Sequence, residues 1–212
     1  KFTALIEQWR AQWRSELPFY WVQLPGFGRA METEDAARTR DYGFAPCRMA
    51  QLRCMSIPRT GMAVALDLGD ADDIHPRNKQ DVAARLVRWA LANDYGMKIP
   101  FRSPEYRSVA FANGKATLTF DCFGSSLRAF DVPAARGFAV CGEDRVWRWA
   151  TGKVIAPDKV ELSCEQVPAP IAVRYAWADN PVCNLFSADG LPVTPFRTDD
   201  FDPITKPKPA VK

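Results

Sequence analysis

The stretch "GMAVALDLGDADDIHPRNKQDVAARLVRWA", residues 61–90, changes character twice, and the rest of the chain is read outward from it. Residues 61 to 68 form an uninterrupted apolar run with one acid near its end, the pattern of a strand buried on both faces. Gly69 then breaks the run, and Asp70, Asp72 and Asp73 crowd a short polar loop that holds His75, the single histidine of the chain. After Pro76 the period lengthens: Val82, Leu86 and Trp89 fall on one helical stripe, Asp81 sits in the opening turn, and the helix fades at "DYG", residues 94–96. Upstream, "FTALIEQWRAQWRSELP" places Phe2, Leu5, Ile6, Trp9 and Trp13 at helical spacing until Pro18 ends the helix. The run "FYWVQL", 19–24, follows as a second buried strand, and residues 29–57 hold a loop and one helix. Helix, strand, loop with helix, strand, loop, helix is the order of a parallel α/β sheet.

Near Pro100 and Pro104 the grammar shifts. "YRSVAFANGKATLTFDCF" sets Asn113–Gly114 between alternating segments, a hairpin signal. Short strands separated by turn residues continue through "PIAVRYAW", and "FGSS" at 123–126 reads as a turn. Residues 104–178 therefore read as an antiparallel sandwich-type unit. Residues 1–99 are assigned to an α/β domain, 100–198 to a β-sandwich accessory domain, and 199–212 to an extended tail rich in proline and lysine.

Composition narrows the functional classes. The 28 Lys and Arg are interleaved with 25 Asp and Glu, leave a net charge of +3 and form no basic run, which argues against a nucleic-acid partner. No apolar stretch is long enough to cross a membrane as a helix. The six cysteines include no C-x-x-C pair and stand beside one histidine, a poor basis for zinc. Some are expected as buried thiols, with one or two disulfides open if the compartment is oxidising. The acids of 67–73 lack the closing glutamate of a calcium loop.

A loop just past the carboxyl end of a parallel strand is where open α/β sheets place their chemistry. His75 falls in such a loop, and a nearby carboxylate can hold an imidazole in one tautomer for proton transfer. Asp72 and Asp73 both lie within reach. A surface histidine bonded to a carboxylate at a helix start is the bland alternative. Trp147 and Trp149 share one strand face and, if exposed, would offer a platform for sugars. Trp9, Trp13 and Trp89 read as core. Arg174 suits either a structural ion pair or a ligand carboxylate. Asp199 and Asp200 read as solvated.

The series "KFTALIEQWR", "LPFYWVQLPGFG", "RMAQL", "TGMAVALDLGDADDIHPRNKQDVAARL", "VRYAWADNP" and "NLFSADGLPVTPFRTD" resembles, in order and spacing, the C-terminal half of sialate O-acetylesterases and the bacterial carbohydrate acetylesterases related to them, within the SGNH-type serine hydrolases. The resemblance implies that residues 1–99 are the C-terminal portion of an SGNH-like domain. It implies that His75 is the catalytic base, with Asp72 (from the D-x-x-H spacing) or Asp73 (from the "DIHP" motif) as the orienting acid. It also implies an acetylated carbohydrate substrate, such as a sialic acid, xylan or xyloglucan ester, no metal or organic cofactor, and a periplasmic or secreted location. The family's nucleophile motif, resembling "GQSNM", has no counterpart among the eight serines of this chain. The family's oxyanion-hole motifs are missing too, and "APCRMAQ" keeps Arg48 and Gln51 but not the neighbouring tryptophan and glutamate. The serine is therefore expected on an N-terminal segment or chain of the same enzyme. The competing readings are a degenerate esterase, a non-catalytic carbohydrate-binding module and a purely structural β-domain.

Overall fold

The computed structural model describes residues 1–30 and 43–201. At its α/β end, β1 (Phe19–Val22) and β2 (Thr60–Ala63) pair in parallel, with Trp21 opposite Met62. Helix α3 (Lys79–Asn93) packs on this pair through Trp89, the one buried side chain of the helix. The indole lies on Gly61, where any added Cβ would strike the ring, and its N–H donates to the Met62 carbonyl at 3.0 Å. Asn78 caps the helix, its side chain accepting from the Asp81 N–H, one of the orphan donors every helix start must satisfy.

The run 61–68 is not all strand. The chain leaves β2 after Ala63 and makes a single 3-10 turn at Leu66–Leu68. Arg85 explains the departure: its guanidinium takes Asp67 bidentately at 2.6 and 2.7 Å and the Val64 carbonyl at 2.9 Å, drawing this segment toward α3. A second correction concerns helix α1 (Phe2–Trp13). Ile6 and Arg10 are its buried residues, with Phe2 edge-on to Trp21 at 4.9 Å, whereas Leu5, Trp9 and Trp13 are exposed. The inward stripe therefore ends in an arginine. Arg10 donates to the Leu17 carbonyl at 3.0 Å and the Pro58 carbonyl at 2.8 Å while lying over the Phe19 ring, satisfying carbonyls that no apolar residue would serve. The helix expected within 29–57 is α2 (Phe44–Arg53), followed by a 3-10 turn at Cys54–Ser56; residues 31–42 lie outside the described set.

The remainder is antiparallel. Seven strands, β3 (Glu105–Ala112), β4 (Lys115–Asp121), β6 (Ala134–Cys141), β7 (Arg148–Ala156), β8 (Lys159–Ser163), β9 (Ala172–Tyr175) and β11 (Phe196–Arg197), form one sheet in the order β11-β9-β6-β7-β8-β4-β3. A small second pair joins β5 (Leu127–Ala129) and β10 (Leu185–Ser187). The expected Asn113–Gly114 hairpin joins β3 to β4, with both residues at positive φ. "FGSS" is a turn, with Phe123 and Gly124 left-handed and the Ser125 N–H closing on the Cys122 carbonyl.

The expected two-sheet sandwich is replaced by a single sheet that curls until its edges meet. Thr194 N–H, just before β11, donates to the Pro104 carbonyl, just before β3, and Tyr106 stacks on Phe196 with centroids 4.6 Å apart. Curling brings the two edges together at this point, where a flat seven-stranded sheet would hold them far apart. The interior is filled by Leu118, Phe138, Val160, Leu162, Val173 and Tyr175, all nearly inaccessible, and this core is continuous with Ile6, Met62 and Val64 at the α/β end.

Candidate functional site

The acid-rich loop runs from β2 to α3 at the carboxyl ends of the parallel strands. Its first residues are braced from the side. Phe27 bridges Asp70 in parallel, the Gly28 N–H donates to the Ala71 carbonyl at 3.0 Å, and Gly69 lies so close to Gly26 that a Cβ there would collide with the Gly26 carbonyl. The bracing loop is itself held by the barrel. Asn180, after β9, donates from its side chain to the Gly28 carbonyl at 2.6 Å.

Arg48 fastens the same junction. Its side chain is fully buried and donates to the carbonyls of Leu24 (2.7 Å), Pro25 (2.5 Å), Ala178 (2.5 Å) and Asp179 (2.8 Å), so one guanidinium clips the loop after β1 to the loop after β9. Burial pushes its pKa down to about 10, partly offset by Asp179, and it remains a cation at neutral pH. Gln51, one turn later, donates to the Val22 carbonyl and accepts from the Leu24 N–H at 3.0 Å. Arg48 alone joins the two distant loops, while Gln51 holds only the end of β1; neither role is encoded in the local sequence pattern.

Within the loop, the structure separates the two acids. Asp73 Oδ1 lies 2.9 Å from His75 Nδ1 and also accepts the His75 backbone N–H at 2.8 Å. These two bonds hold the Asp73 carboxyl below the usual aspartate range. Asp72 makes no such contact; its own N–H turns back to Asp70 Oδ1 at 3.0 Å. With Asp73 ionised, and therefore only an acceptor, Nδ1 carries the proton and the Nε2 lone pair points away from the loop. The histidine side chain is 79% exposed, so the dyad is assembled while its outer face is open. Among the described residues no serine hydroxyl bonds to the ring: Ser125 bonds Asp189, Ser187 bonds the Leu191 N–H, and Ser56 bonds the Arg53 carbonyl.

The other candidates go elsewhere. Arg174 pairs with Asp199 through two bonds of 2.8 Å, the side chains being 1% and 0% exposed. Asp199 is thus a buried partner, not part of a solvated tail, and residues 202–212 lie outside the described set. Trp147 is buried with the Arg174 guanidinium 4.3 Å from its ring and contributes to no outer platform; Trp149 on the next turn of the pleat is half-buried. All six cysteines are free thiols. Cys54, Cys122 and Cys141 are buried, and burial raises the last two to about 11 and about 12.

Comparison with known proteins places this geometry. Sialate O-acetylesterase of Mus musculus is 30% identical over 228 aligned positions, covering 92% of this chain and 40% of that protein. The Homo sapiens enzyme of that name is 29% identical over 221 positions, with 92% and 41% covered. A crystal structure of a carbohydrate acetylesterase from Xanthomonas citri superposes with a TM-score of 0.84 at 39% identity, over 94% of this chain and 45% of that one. The chain is a homologue of part of these acetylesterases. It spans about two-fifths of the length of the curated sialate O-acetylesterases it matches. No family model matches the chain. The acetylesterase likeness covers both the His75 loop and the curled antiparallel sheet, since so little of the chain falls outside it.

Proposed function

We propose that this chain is the histidine-bearing part of a carbohydrate O-acetylesterase, and that His75 acts as general base for a serine carried on a segment of the enzyme outside these residues. The observation that carries the reading is the Asp73–His75 bond of 2.9 Å, in a loop braced by residues 26–28 while the imidazole stays exposed. Asp73, the partner in contact, is the orienting acid. In the reaction the serine Oγ attacks the acetyl carbonyl and passes its proton to Nε2. The bond to the sugar oxygen then breaks as Nε2 returns that proton to the leaving hydroxyl. Water, deprotonated by Nε2, releases acetate from the acyl-serine.

The SGNH-type sheet belongs to the same proposal. Parallel sheets occur with both faces covered and rarely as isolated pairs. Among the described residues β1 pairs only with β2, and at the ends of the pair the Phe19 and Gln23 N–H groups donate to the Arg59 and Ala63 carbonyls. By strand alternation, Val22 and Leu24 turn their backbone groups to the opposite edge, where the Gln51 amide meets them at one end. That edge suits a further parallel strand from the remaining part of the enzyme, and the coverage of the relatives supports there being such a part.

Aryl-acetate hydrolysis tests the reading. The 212-residue chain alone should be inactive, and adding the complementary segment should restore turnover. In the complete enzyme His75→Ala should lower kcat by about three to six orders of magnitude, as loss of a triad member does. Turnover by this chain alone, or an effect of His75→Ala under about tenfold, would overturn it.

A further inference from the structure

We propose that a concavity on the barrel, lined by Arg136, Gly137, Trp149, Thr151 and Val182 and about 390 Å³ in volume, is an accessory subsite for an acidic sugar. The inference rests on the carbohydrate reading above and deepens it: the subsite would engage a carboxylated residue flanking the acetylated one.

The site is built by a β-bulge. Ala135 faces Gly152 and Phe138 faces Ala150, so Arg136 and Gly137 together oppose Thr151 alone. Gly137 adopts φ 94°, and its bare Cα packs so near Cys183 that a Cβ would lie 2.6 Å from the Cys183 Cβ. A side chain at 137 is excluded twice over. Asn184, itself buried, replaces the ladder bonds that the bulge forfeits. Its Oδ1 accepts the Arg136 N–H at 2.7 Å, and its Nδ2 donates to the Ala134 carbonyl at 3.0 Å. Bulges re-aim side chains; here the result is an exposed Arg136 beside Trp149 and Thr151, which share the outer face of β7.

The chemistry of this wall is specific. An indole offers a flat apolar surface to the C–H face of a pyranose, a threonine hydroxyl exchanges hydrogen bonds with sugar hydroxyls, and a guanidinium binds a carboxylate through two parallel N–H groups. Among the described residues, Arg136 is the one charged side chain in the lining, and the nearby Asp131 carboxylate feels its charge. The neighbouring Asp131 is committed to Asn184 Nδ2 at 2.7 Å. The subsite is tied to the His75 loop through a short series of held contacts. Val182 lies two residues after Asn180, the residue that holds the Gly28 carbonyl, and Gly28 in turn holds Ala71.

Calorimetric titration of the 212-residue chain tests this with two probes of equal length, a xylo-oligosaccharide bearing one glucuronic acid and its neutral counterpart. The acidic probe should bind at least about fivefold tighter, the worth of one charge-assisted contact at an exposed site. Arg136→Gln should abolish that preference while leaving the unfolding curve unchanged, because the side chain is exposed. Trp149→Ala should weaken both probes at least about tenfold, and His75→Ala should change neither. No binding of either probe at millimolar concentration, equal affinities for the two, or a preference that survives Arg136→Gln would overturn the proposal. The acetylesterase reading fails separately: a complete enzyme that keeps its esterase activity after His75→Ala would refute that reading and leave these titrations standing.

Discussion

Asp199→Asn isolates the difference between a ligand-binding arginine and a structural one. The substitution keeps the shape of the side chain and removes its charge, leaving the Arg174 guanidinium 1% exposed with a neutral partner where two bonds of 2.8 Å had been. Removing one partner of a buried ion pair costs about 3–5 kcal/mol, since the survivor has lost both water and counter-charge. Neighbouring groups, Trp177 at 5.4 Å among them, moderate the loss without replacing the carboxylate. Arg197, 3.6 Å from Asp199 Oδ1, is 20% exposed and can rehydrate. Trp147, 4.3 Å from the guanidinium, supplies a cation–π contact worth about 2 kcal/mol at a desolvated site, and supplies it before and after the change. At roughly 2–4 °C per kcal/mol for a chain of this size, the melting temperature should fall by about 6–20 °C. Urea unfolding followed by tryptophan fluorescence, with calorimetry beside it, measures both quantities. The double variant Arg174→Met/Asp199→Leu should lose less than the sum of the two single changes, because it leaves no stranded charge. A single-variant loss below about 1 kcal/mol, the level of an exposed pair, or strict additivity in the double variant, would refute the argument.

Further outcomes follow from the site. In the complete enzyme, Asp73→Asn should cut kcat by about four orders of magnitude by favouring the wrong imidazole tautomer, whereas Asp72→Asn should cost less than about tenfold; steady-state kinetics decides, and a reversed ranking would transfer the orienting role to Asp72. Because Asp73 is depressed in the folded state, its contribution to holding the loop is complete above the ordinary aspartate range and is lost as pH falls through its lowered value. Carboxyl carbon NMR should show it titrating below an exposed aspartate, and His75→Ala should move it only part of the way back up, because the backbone N–H at position 75 still donates to it. Ellman's reagent at mildly alkaline pH should label the exposed Cys47 first and reach Cys122 and Cys141 only on unfolding, since burial raises both thiols to about 11 and about 12. Gly69→Ala should destabilise the chain by several kcal/mol, to be read from urea unfolding, as its methyl group would have to displace the Gly26 backbone.

Period and punctuation in the sequence determined a good deal of this protein by themselves. A two-sided apolar run ending at glycine, acids and one histidine, then a helical stripe, placed a strand–loop–helix unit with His75 past the strand end; Asn113–Gly114 placed a hairpin; alternation placed the antiparallel strands. These signals are local, because each depends on contacts between residues a few positions apart. What only the tertiary structure decided involves partners far along the chain. Arg48 joins carbonyls 130 and 131 residues away. Asp199 neutralises an arginine 25 residues earlier, and Asn184 repairs a bulge 48 residues upstream. Local pattern also misjudged burial: Trp9 and Trp13 fit an apolar stripe and are exposed, whereas Arg10 is buried, since carbonyls left over from Leu17 and Pro58 needed a donor. Whether an acid is a solvated charge, a hinge for an imidazole or half of a buried pair depends on how much water and which counter-charge surround it, and that is fixed only when distant segments close around it.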